Sequence, residues 1–98
     1  MKVKTKSGFE CNVNERRLKD WRYIKAAAKL KEGNEEAAIS ALTFAVPFLL
    51  GEDGEAALMS HIEDDEGIAD SERLLAEYTE ITQIVGEKIK KSLSSLSS

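Results

Sequence analysis

The chain has 98 residues, 42% of them hydrophobic and 33% charged, with a net charge of −4. That length suits one domain able to bury about 60–65% of its extended surface, enough for one modest core with little to spare. The apolar fraction, with one Trp, two Tyr and three Phe, excludes a disordered chain, and the longest apolar run, "FAVPFLL" at 44–50, is too short for a membrane span and contains Pro47.

The first segment, "KVKTKSGFECNV" at 2–13, alternates apolar and polar residues on either side of Ser7-Gly8. This spacing predicts a β-hairpin with Val3, Phe9, Cys11 and Val13 on its packing face. An isolated hairpin is marginal, so it must lie on helices or pair with another chain, and an exposed edge would be a candidate interface. Cys11 is the only cysteine, which rules out an internal disulfide and fits a reducing, cytoplasmic setting. The basic N-terminus has no apolar segment behind it, so no signal peptide is expected.

A first helix is predicted to start between Asn14 and Asp20, both suitable N-caps, and to end at Lys31 before Gly33. Its expected inner face is Leu18, Trp21, Ile24 and Ala28, with Tyr23, Ala27 and Leu30 beside it. At this spacing Trp21 reads as core, although a Trp is also a common interface anchor. Asn34 should cap the second helix, with Glu35 and Glu36 in its first turn. Pro47 predicts a kink or break, Gly51 a stop, and Asp53 the cap of a short third helix with Ala57, Leu58 and Ile62 inward. The last and longest helix follows the acidic loop, capped by Asp70 or Ser71. The fold class expected is therefore mainly α: one domain over 1–92, about four helices with a short N-terminal hairpin, and a flexible Ser-rich tail at 93–98.

The acidic loop, within "SHIEDDEGIADSE" at 60–72, holds the only histidine. An EF-hand reading with Gly67 at loop position 6 puts Ile62 at position 1 and Arg73 at position 12, neither of which can ligate calcium. His61 alone does not make a transition-metal site, and consecutive acids such as Asp64-Asp65 are ordinarily solvated rather than catalytic. No phosphate loop, dinucleotide fingerprint or nucleophile elbow occurs. No catalytic, cofactor or metal residues are assigned, and a non-enzyme is expected.

The charge is sharply divided. Residues 1–31 carry ten Lys/Arg against three Asp/Glu, a balance of +7, and residues 32–80 carry one Arg against fourteen acids, a balance of −13. A two-signed chain suits a two-signed partner, including another copy of itself head to tail. The alternatives are that both clusters are solvated faces or that they neutralise each other within one chain. Nucleic-acid binding through Lys2, Lys4, Lys6, Arg16, Arg17 and Lys19 is the runner-up, as part of a small regulatory or accessory protein. The acidic excess and sparse aromatics weigh against it.

Several features follow in a recognisable order. "LKDWRYIKAAAKL" leads into "KEGNEEAAISAL", then "FLLGEDGEAALMSHI", the loop "EDDEG", a long helix and the tail "KIKKSLSSLSS". Over about residues 15–92 this pattern resembles the tail assembly chaperones of long-tailed, siphovirus-type phages and prophages of Gram-positive bacteria. The resemblance implies a cytoplasmic, non-virion helper in the bacterial host cell that binds the tape measure protein and assists assembly of tail tube protein. It also implies self-association into a homo-oligomer and, in many members, a longer form made by ribosomal frameshift. Neither a membrane nor a cofactor is implied. Candidate partner-binding residues are Trp21, Phe48, Leu50, Leu58 and Met59, and a charge at Leu50 or Leu58 is expected to impair binding more than folding.

Overall fold

A computed structural model describes the backbone of residues 1–97 and the side chains of residues 1–90. It is mainly helical. In chain order come β1 (Lys2–Lys4), β2 (Glu10–Asn12), a 3-10 turn (Glu15–Lys19), α1 (Trp21–Leu30), α2 (Glu35–Ile62) and α3 (Ser71–Ser97). The side chains of the tail expected at 93–98 lie outside the described residues.

The hairpin forms as the alternation requires. β1 and β2 pair antiparallel, with Val3 opposite Cys11. The Gly8 amide donates to the Thr5 carbonyl (3.0 Å) and the Thr5 amide to the Phe9 carbonyl (2.9 Å), and Gly8 has φ 95°. This is a tight turn closed by a left-handed residue, where glycine has no Cβ to clash. Val3, Thr5, Phe9 and Val13 are buried and Cys11 is half-buried, so one face of the hairpin forms part of the core. Burial pushes the Cys11 thiol above its ordinary pKa, against a smaller opposing pull from the N-terminal amine, as suits an inert packing residue.

The free edge of β1 is not bare. The Lys88 ammonium donates to the Lys2 carbonyl (2.7 Å), and the Lys6 amide donates to the Glu80 carboxylate (2.6 Å). Glu80 and Lys88 are eight residues apart, on one stripe of α3, and so α3 runs beside the strand and caps outward-facing backbone groups at both ends. Such capping lowers the tendency of an open edge to recruit another strand.

Both proposed N-caps are used. The Asn14 side chain accepts from the Arg16 amide at the head of the 3-10 turn, and Asp20 accepts from the Arg22 amide at the head of α1. Asn34 caps α2 by accepting from Glu36 and Ala37, and Asp70 accepts from the Glu72 amide as α3 begins. Each satisfies amides that a helix start leaves without partners.

α2 is the central element. α1, α3, β2 and the 3-10 turn all pack on it, and Ala41, Leu42, Ala45, Val46, Leu49, Leu58 and Ile62 are its buried side chains. By length and composition alone it would pass for a membrane span; here its buried residues form the middle of the core. The expected count of about four helices is corrected to three, because the segment predicted to stop at Gly51 and restart at Asp53 continues as one assigned helix. The break nonetheless exists: Gly51 has φ 80° and ψ 168°, a conformation reserved for glycine. The kink expected at Pro47 is therefore four residues further on. Proline's missing N–H is tolerated in the helix, and the chain turns at the residue that can adopt positive φ.

The inner face of α1 also differs from expectation. Trp21 is 69% exposed, Ile24 43% exposed, and Ala28 exposed as well, whereas Ala26 is buried and Tyr23, Ala27 and Leu30 are partly buried. α1 carries two apolar stripes, and the one with the smaller side chains faces inward. Ala26 and Ala41 let the backbones of α1 and α2 approach closely, which an indole at that interface would prevent.

Candidate interaction surfaces

Three surfaces are built on this frame. The first is a trough between α1 and α3. Both helices rest on α2, yet no Cα pair between them lies within 8 Å among the described residues. The gap is open, with a volume of about 490 Å3 between Tyr23, Ala27 and Leu30 on one wall and Leu75, Tyr78, Thr79 and Thr82 on the other. It continues past Leu30 and Leu75 into a second depression of about 330 Å3 lined by Ile39 and the edge of the buried Leu42, beside Glu35 and Glu72. Ile39 and Leu75 are exposed, at 48% and 39%. At the floor the Tyr78 hydroxyl is buried without a hydrogen-bond partner, and its burial, with Tyr23 close by, holds the phenol far above its ordinary pKa. A trough bounded by two helices, lined by Ala27, Leu30 and Leu75 together with Tyr78, Thr79 and Thr82, has the shape that receives a third helix.

The second surface is basic and aromatic. Phe44 and Phe48 stack on α2 with ring centroids 4.9 Å apart. The guanidinium of Arg17 lies 5.1 Å from the Phe48 ring centre and that of Arg22 5.6 Å, within the range of cation–π attraction. Arg17 also donates to the Phe48 carbonyl (2.6 Å). Arg22 pairs with Asp20 at 3.0 Å, and hydrogen bonds from Arg22 hold that carboxyl below the usual range. Beside the rings is a hollow of about 300 Å3 with Ala26, Ala41 and Phe44 on its floor and Arg22, Lys25 and Lys29 at its rim.

The third is a polar clasp at the hairpin tip. Ser7 Oγ donates to Glu77 Oε1 (2.6 Å) and contacts His61 Nε2 (2.9 Å), while the Phe9 and His61 rings lie 5.4 Å apart. With the hydroxyl proton directed to the carboxylate, His61 serves as the donor to Ser7. In a Ser–His–acid triad the imidazole stands between the other two and takes the serine proton; here the serine stands in the middle. The arrangement ties β1, α2 and α3 together, and it explains why the single histidine sits half-buried at the end of α2.

The five candidate residues do not form one patch. Phe48 belongs to the basic, aromatic surface. Leu50 and Met59 are half-buried against the core, and Leu50 covers Gly54, where an added Cβ would meet Leu50 Cβ at 2.8 Å. Trp21 is exposed rather than in the core. Leu58 is 0% exposed and faces inward with Ile62, one turn on, as its spacing predicts; this corrects its choice as a partner-binding residue, since a charge there would disrupt the core first. Phe44, Ile39, Leu75, Ser7 and Glu77 are not among the candidate partner-binding residues read from the sequence. Only Ile39 and Leu75 carried a signal, as apolar residues at the borders of helical stripes.

The two charge clusters also remain apart. Among the described residues the ion pairs are Lys4–Glu10 and Arg22–Asp20, both local and both within the basic segment. Among the described residues no acid of residues 32–80 forms an ion pair with a cation of residues 1–31. No group of three His, Cys, Asp or Glu side chains that could hold a metal ion occurs among the described residues. Comparison of the chain with protein-family models, with curated proteins and with solved structures finds no match.

Proposed function

We propose that this chain is a non-catalytic binding protein of the bacterial cytoplasm, and specifically a phage tail assembly chaperone. It holds apolar helices of the tape measure protein and assists tail tube assembly, associating with copies of itself and inserting in no membrane. The observation that carries this reading is the open apolar trough between α1 and α3. A chaperone for a long, aggregation-prone helical protein must offer apolar surface while staying in solution, and a trough walled by two helices and bordered by charge meets both needs. The resemblance of residues 15–92 to such chaperones supplies the identity of the guest. The test is co-expression with the tape measure protein of the same phage or prophage, reading its soluble fraction. Retention in solution by the wild type and loss with Leu75→Glu supports the reading, and an unchanged soluble fraction overturns it.

A second reading, an accessory protein that binds nucleic acid through its N-terminal cations, has the Arg17, Arg22, Lys25 and Lys29 surface in its favour. Lys4 and Lys6, however, line a different groove, beside Glu80 and Glu87 of α3, so the basic residues do not form one continuous track. Salt-sensitive binding to generic duplex DNA would favour this reading over the first.

A further inference from the structure

We propose that the hollow between α1 and α2 is a socket for the acidic 63–70 loop of a second copy of this chain, with Ile68 as the inserted side chain. This rests on the self-association part of the proposed function and assigns it two surfaces.

The socket is lined by Ala26, Ala41 and Phe44, with Ser40 beside them, and has a cationic wall of Arg22, Lys25 and Lys29 on α1. Of these only Arg22 has a carboxylate partner among the described residues. The plug has the inverse pattern. Ile68 is 54% exposed and stands amid Asp64, Asp65, Glu66 and Asp70. An apolar side chain flanked by acids suits an apolar hollow with a cationic wall: the contact would bury the isoleucine, and the charges would fix its orientation. A hollow of about 300 Å3 has room for a branched aliphatic side chain.

The loop is also held rigidly in the free chain. The Asp64 amide donates to the Ile68 carbonyl (2.9 Å) and the Gly67 amide to the Asp64 carbonyl (2.9 Å). Asp64 Oδ1 accepts from the amides of Glu66 (2.9 Å) and Ile68 (3.0 Å). Gly67 closes the turn at φ 78°, and Glu63 and Ala69 form an antiparallel bridge beneath it. The backbone that displays Ile68 is thus ordered before any partner arrives, which lowers the entropy lost on binding. Nucleic acid would satisfy the rim but would leave Ile68 without a role and would face the acidic excess of residues 32–80. Socket and plug are different surfaces, so the contact is heterologous and each added copy presents a new free end.

Sedimentation and light scattering over a concentration series test this with Ile68→Asp and with the double variant Lys25→Glu/Lys29→Glu. All three positions are exposed, and urea unfolding checks that each variant keeps its fold. The wild type is expected to grow in mass with concentration and to dissociate as salt rises. Each variant alone should need about tenfold higher concentration, or more, to associate, a loss of about 1.4 kcal/mol or more. An equal mixture should form a one-to-one dimer and stop there, because one intact socket meets one intact plug. A wild type that stays monomeric, variants that assemble as it does, or a mixture without dimer would each overturn the proposal. DNA binding lost in the double variant but intact in Ile68→Asp would overturn it in favour of nucleic acid. The tape measure assay separates the two readings. Monomeric variants that still keep the guest soluble leave the chaperone reading intact, and an assembling wild type that does not keep it soluble leaves the socket intact.

Discussion

The hairpin end of the molecule and the α1 end use similar residues in opposite ways. At the hairpin end, side chains reach across the sequence to tie elements together: Ser7 to His61 and Glu77, Lys6 to Glu80, and Lys88 to Lys2. At the α1 end most side-chain hydrogen bonds are local, such as those from Arg22 to Asp20, and Trp21 and Ile24 face outward. The hairpin end therefore stabilises the domain, whereas the α1 end keeps apolar and cationic surface available to another molecule. In a chain with so small a core, the surface left uncovered at one end is where the proposed partner would add stability.

This contrast can be broken by substitution. The largest effect is expected in the shared core: Leu58→Ala should cost about 2–5 kcal/mol in urea unfolding, and Leu58→Asp should leave the chain unfolded, since it also buries an unpaired carboxylate. Gly51→Ala comes next. No atom obstructs a Cβ there, so its cost, about 1–3 kcal/mol, is backbone strain alone, read as a lower urea midpoint with an unchanged slope. Ser7→Ala or Glu77→Ala should each lower stability by about 1 kcal/mol through loss of the clasp, and the double variant should lose less than the sum of the two. Asp20 gives a pH-dependent effect. Its folded pKa is lowered by Arg22, so its stabilisation is present above the ordinary carboxylate range and is lost as pH falls through the depressed value. Urea midpoints measured against pH should show that loss in the wild type and not in Asp20→Asn. The smallest effect is expected at Trp21→Ala, within about 0.5 kcal/mol, as for an exposed site.

Much of the fold was legible from local chemistry. The alternation in residues 2–13 gives the hairpin, and Asn14, Asp20, Asn34 and Asp70 give the helix starts, because each depends on a few neighbouring residues. The orientation of α1 was not legible. Its two apolar stripes are equivalent by periodicity, and the choice between them rests on how closely Ala26 can approach Ala41, a property of tertiary packing. The passage of α2 through Pro47 without a break was not legible either, whereas the break at Gly51 was, since the backbone turns where the sequence places a stop. The clasp was hidden for another reason: Ser7, His61 and Glu77 are polar residues far apart in sequence, and only the fold brings them together. The charge division was fully legible, but its persistence without internal pairing required the positions of the side chains.

The central claim is that α1 turns Trp21 and Ile24 outward and so leaves Tyr23, Ala27 and Leu30 to wall the trough, and the single tryptophan reports on that orientation directly. In a dilute solution of the wild-type chain, Trp21 emission is expected at the long wavelength of a water-exposed indole, with efficient quenching by iodide. Short-wavelength emission protected from iodide at the same dilution would contradict the account, because it would place the Trp21–Ile24 stripe in the core and turn Tyr23, Ala27 and Leu30 away from the trough on which the proposed binding depends.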